Sequence, residues 1–143
     1  LLNKTWWIYA ELDQVAGTLS LENSSYVDNY LKSTVNWWFK HMVDHTNHGI
    51  WNKVIWPTLE TKGFKQSKWK NGFHSYEHAL VGYITTQATQ GEKVKLYFAR
   101  KEGQENKGIR PYYNTGKIEK INKKPLQSIP EMKKIEVTFA EIY

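Results

Sequence analysis

The chain has 143 residues, 40% of them hydrophobic and 24% charged, a balance that fits one domain or part of one and excludes a disordered or fibrous chain. No apolar run approaches the roughly 18 residues a membrane span needs, and the absence of cysteine excludes disulfides and thiolate metal sites. The net charge of +6 is uneven, with twelve Lys and Arg against seven Asp and Glu in residues 91–143. Signs alternate there, as in Lys117-Ile118-Glu119-Lys120, so the segment reads as a solvated strand face rather than a nucleic-acid surface.

The first residues, Leu1-Leu2-Asn3-Lys4-Thr5, carry neither an initiator Met nor a signal peptide. They read as the start of a piece excised from a longer protein. The compartment is left open, with the cytoplasm favoured. Residues 5–19 predict a helix, with Thr5 as N-cap and apolar residues recurring at Trp7, Ile8, Leu12, Val15, Ala16 and Leu19. A second helix follows a turn, from Ser24 or Ser25 to about Val43. Its stripe is Tyr26, Val27, Tyr30, Leu31, Thr34, Val35, Trp38, Phe39 and Met42, and the two helices suggest an αα-hairpin.

Residues 44–73 break the helical period at Gly49, Pro57 and Gly63 while carrying Trp51, Trp56, Phe64 and Trp69. They read as an ordered lid or hairpin over a cleft, with a short strand between Trp51 and Trp56. A third helix is expected from His74 to Gln90, closed by Gly91, with Ala79, Leu80, Tyr83, Ile84 and Ala88 as packing positions. Beyond it the period becomes two, at Val94-Leu96-Phe98 and Ile135-Val137-Phe139, which predicts strands. Asn114-Thr115-Gly116 reads as a turn joining two short strands. The expected organisation is a helical part over 1–91 and a small β extension over 92–143, mainly α in class.

All seven Trp precede residue 70; such rings build either an aromatic core or the stacking walls of a sugar cleft. The densest polar cluster is Lys70-Asn71-Gly72-Phe73-His74-Ser75-Tyr76-Glu77-His78. His74 and His78 sit at i and i+4 on one helix face, but Glu77 precedes the second His, so the zinc-protease order is not met and no metal is expected. An imidazole titrating near pH ~6.5 suits acid–base work, and Glu77 could set the tautomer. The bland alternative is a capping His74 and an ordinary core or surface His78. In the first helix Glu11 lies four residues after Trp7, so ring and carboxylate share a face beside Trp6, as in a sugar site or in any amphipathic helix.

Together, Lys4-Thr5-Trp6-Trp7-Ile8-Tyr9-Ala10-Glu11, the run Trp37-Trp38-Phe39 within Tyr30 to Asp44, Gly49-Ile50-Trp51, and Ser67-Lys68-Trp69-Lys70-Asn71-Gly72-Phe73-His74 resemble the C-terminal part of the N-acylglucosamine 2-epimerase family. The resemblance covers roughly residues 4–90. It implies the C-terminal helical hairpins of an (α/α)6-type barrel, here followed by antiparallel strands. The implied chemistry is epimerisation or aldose–ketose isomerisation by proton transfer at sugar C2, through an enediolate and without a cofactor. His74 matches the later of the family's two catalytic histidines; the earlier would lie upstream of Leu1. Trp7 and Glu11 match cleft positions. Trp69 and Lys70 are candidate donors to the enediolate oxyanion, and Trp6, Glu77 and His78 complete the candidate substrate-binding set. Glu77 stands where family members often carry Arg.

Two other readings compete. Another (α/α)-barrel carbohydrate enzyme, a glycoside hydrolase or lyase, would use Glu11 with Asp44 or Glu77. A non-catalytic carbohydrate- or protein-binding module would bind through its aromatics. The expected partners are a mono- or small oligosaccharide, and either the missing part of the barrel or a second copy, with no nucleic acid and no membrane.

Overall fold

A computed structural model describes residues 3–104 and 106–143. The chain divides into two compact units, Leu1–Gly82 and Tyr83–Tyr143.

In the first unit, strand β1 (Asn3–Thr5) leads directly into helix α1 (Trp6–Ser20). Thr5 occupies the N-cap position in extended conformation, but its hydroxyl makes no capping bond. The Trp6 N–H donates instead to the Asn52 carbonyl, at 3.1 Å. That bond continues the pairing of β1 with β2 (Lys53–Ile55), where Lys4 faces Val54 and Thr5 faces Lys53. β2 also pairs with β3 (Thr61–Lys62), giving a three-stranded antiparallel sheet.

The second helical segment has α2 (Lys32–Trp37) flanked by π-helical turns at Val27–Leu31 and Trp38–Met42. A π turn adds one residue to the local period and so rotates the face that follows. Of the expected stripe, only Trp38 and Met42 are buried, whereas Tyr30 and Phe39 are exposed. Trp38 and Met42 join Trp6, Ala10 and Val54 in the core, with Tyr9, Trp37, Val43 and Ile50 packed around it. The apolar stripe of α1 behaves similarly. Trp7, Ile8, Leu12, Val15 and Leu19 are exposed, and the buried face is Trp6, Ala10, Asp13, Gln14, Gly17 and Ser20.

Residues 42–51 reverse the chain. Asp44 N–H donates to Gly49 O at 2.9 Å, Trp51 N–H to Met42 O at 2.8 Å, and Gly49 adopts a φ of 85°, a conformation that glycine enters without steric cost. Helix α3 (Phe73–Thr89) closes the first unit and runs into the second. Its buried apolar positions include Val81 and Ile84, while Tyr83 is exposed.

In the second unit, β4 (Val94–Lys101), β5 (Lys117–Pro125) and β6 (Met132–Ala140) form an antiparallel sheet of order β4-β6-β5. The register pairs Val94 with Phe139, Leu96 with Val137 and Phe98 with Ile135. Alternation therefore places Val94, Ile135, Val137 and Phe139 on one buried face. Asn114-Thr115-Gly116 does not join two strands. Thr115 instead exchanges backbone bonds with Tyr143, at 3.0 and 3.2 Å.

The expectation of a mainly α chain built from (α/α)6-type barrel hairpins is overturned. Among the described residues 36% are helical and 26% are in strands, the latter forming two three-stranded antiparallel sheets. The first sheet is made of two- and three-residue strands, too short to show a period of two. Among the described residues no helix is long and apolar enough to cross a membrane.

Candidate active site

α1 and the start of α3 each present acid–base groups, and they meet in two parallel bonds. His74 Nδ1 lies 2.7 Å from Glu11 Oε1, and His78 Nε2 lies 2.9 Å from Asp13 Oδ2. A carboxylate only accepts, so each ring nitrogen in these bonds donates. The other ring nitrogen of His74, Nε2, has no hydrogen-bond partner among the described residues; in the neutral ring it carries the lone pair.

Burial separates the pairs. The His74 and Glu11 side chains are 33% and 43% exposed, those of His78 and Asp13 only 10% and 4%. His78 packs on Trp38, ring centroids 4.4 Å apart. His74 is ringed by Trp6 at 6.2 Å, Trp7 at 6.1 Å and Phe73 at 5.3 Å. Burial, and then the Asp13 charge, push the Tyr9 phenol up from its ordinary value.

Lys70 is 3% exposed, with its ammonium 4.8 Å from the centre of the Trp6 ring. Burial lowers its pKa from the ordinary 10.5, since desolvation disfavours the charged form. The Trp6 N–H is itself buried without a hydrogen-bond partner among the described residues. Glu77 joins Glu11 and His74 in a set whose ligand atoms all lie within 4.8 Å of one another. That spacing lets one divalent cation take all three, at the cost of the Glu11–His74 bond.

Trp6, Trp7, Glu11, Glu77, Lys70 and His74 are thus brought together. Trp69 is not: it is 82% exposed, with the Lys68 ammonium 5.5 Å from its ring centre. Asp44 lies apart from the cluster, bonded by Thr46 and Asn47 N–H groups at 3.0 and 2.9 Å and by Lys65 at 2.6 Å. The Asn47 bond first, and then Lys65, hold its carboxyl far below the usual range.

Sequence reasoning missed Asp13 and Phe73. The available signal for Asp13 was numerical, two carboxylates on one helix facing two histidines on another. The chain matches no family model, no curated protein and no solved structure.

Proposed function

We propose that the chain transfers a proton at C2 of an open-chain sugar, with His74 as the base. The observation that carries this reading is the 2.7 Å bond from His74 Nδ1 to Glu11. It fixes the tautomer, orients the ring and leaves a free Nε2 beside the exposed Trp7 and Phe73 rings. Such rings offer stacking faces to the C–H side of a sugar. In the first step Nε2 takes the C2 proton and the electron pair moves into an enediolate. The imidazolium so formed is held by Glu11 and supplies the positive charge beside the developing oxyanion. Return of the proton to C1, with the O2 hydroxyl proton passing to O1, gives aldose–ketose isomerisation with one base. Return to the opposite face of C2 gives epimerisation and needs a second proton donor there.

The test is His74→Gln, read by proton exchange with solvent at C2. The proposal expects a loss of at least ~10²-fold, the usual scale for a positioned acid–base group. Unchanged exchange removes His74 from the reaction. EDTA is expected to leave exchange intact; loss on chelation, restored by a divalent cation, points instead to a metal held by Glu11, His74 and Glu77.

A second reading draws on the closeness of the Glu11 and Glu77 oxygens, within 4.8 Å, near the ~5 Å carboxyl separation of retaining glycosidases. Glycosidic bond cleavage lost on Glu77→Gln, without C2 exchange, would select it.

A further inference from the structure

The first unit contains a hollow of about 340 Å3 whose wall includes His48, Lys65, Lys70, Asn71, Ser75 and Tyr76. That volume falls at the lower end of small-molecule sites. No Asp or Glu is among the described residues lining it. Of its two lysines, Lys65 is already neutralised by Asp44 at 2.6 Å. Lys70 is not: its ammonium makes no ion pair or hydrogen bond among the described residues and lies 4.8 Å from the centre of the Trp6 ring. An ammonium has three donors and is costly to bury without acceptors.

The remaining wall also offers donors. Asn71 Oδ1 accepts the Phe73 N–H at 2.9 Å, which leaves the Asn71 amide NH2 as the free end of that side chain. The Ser75 hydroxyl makes no hydrogen bond among the described residues. The backbone N–H of Ser75, in the first turn of the 17-residue α3, has no acceptor among the described residues either. Gly72 keeps this corner open to Tyr76, because a Cβ at Gly72 would collide with the Tyr76 ring. A charged donor without a counter-ion, neutral donors and a helix N-terminus therefore share one concave surface.

We propose that this hollow binds a phosphate-sized oxyanion, with Lys70 as the charged anchor and Asn71, Ser75 and the first turn of α3 as hydrogen-bond donors. This site goes beyond the proton-transfer reading and does not depend on it. An oxyanion supplies the acceptors that the Lys70 ammonium lacks and meets no carboxylate in the wall.

The test uses the whole chain and inorganic phosphate at constant ionic strength, followed by the amide NMR shift at Ser75 and by the unfolding temperature. The expected result is saturable binding that chloride does not reproduce. Lys70→Met is expected to weaken it at least tenfold, and Lys70→Arg only a few-fold. Lys70→Met is also expected to unfold at the same or a higher temperature in phosphate-free buffer, because it removes an unpartnered buried charge, so lost binding is separable from lost folding. Ser75→Ala, a mild change on a half-buried residue, is expected to weaken binding several-fold and decides the matter if Lys70→Met does not fold. Equal phosphate response in these variants and the unmodified chain, or an equal response to chloride, overturns the proposal.

Discussion

His74 with Glu11 and His78 with Asp13 are the same chemical pair in two environments, and burial separates them. The outer pair keeps a third or more of its side-chain surface and a free ring nitrogen, while the inner pair is shut against Trp38. Glu11→Gln is therefore expected to leave stability within about 0.5 kcal/mol, as for a surface substitution, and to slow C2 exchange through a mispositioned ring. Asp13→Ala is expected to cost roughly 2 kcal/mol or more, because it strips a buried donor of its acceptor; chemical denaturation of the two variants checks both statements. Short-range spacing made legible that Trp7 and Glu11 share one helix and that His74 and His78 share another. The bonds that distinguish the two histidines were not, because each joins residues more than 60 positions apart.

At the scale of the helices, α1 shows why periodicity found the element and misread its faces. Its apolar residues lie at helical spacing, so the helix is real, yet Leu12 and Val15 are 62% and 56% exposed while Asp13 and Gln14 are buried. Small Ala10 and Gly17 permit close approach on the buried side, and the His78 bond satisfies Asp13 there. Leu12→Gln is accordingly expected to change stability by no more than about 0.5 kcal/mol. Met42→Ala, at a fully buried core position, is expected to cost roughly 2–5 kcal/mol. Equal costs in a denaturation series would mean that the apolar face of α1 is covered. The π turns on either side of α2 are a related case, since a one-residue change of period leaves no mark in a hydrophobic pattern. The longer strands β4 and β6 were legible because eight or nine residues alternate cleanly, whereas β3 has only two residues and β1 depends on a pairing partner about 50 positions away.

For the whole molecule, two charged groups set opposite trends with pH. The Asp44 carboxyl is held below its ordinary 3.8 by the Asn47 N–H and by Lys65. Its contribution to stability is complete above that value and is lost as the pH falls below it, because the unfolded chain then binds the proton first. Asp44→Asn is expected to flatten the acid side of the stability profile. Lys70 runs the other way. Its folded pKa lies below the ordinary 10.5, so the native state releases its proton first and stability from this group rises with pH through the alkaline range beneath that value. Lys70→Met is expected to remove that rise and to add on the order of 1 kcal/mol at neutral pH. Urea unfolding across pH reads both trends.

The claim on which the functional account rests is that Nε2 of His74 removes a carbon-bound hydrogen from a sugar. Incubating the chain with aldoses and ketoses in D2O and following the C2 proton signal by NMR tests it most directly. The account predicts disappearance of that signal in at least one sugar, abolished by His74→Gln and weakened by Glu11→Gln. A C2 signal that persists across the sugars, or one that disappears equally fast with His74→Gln, would contradict it.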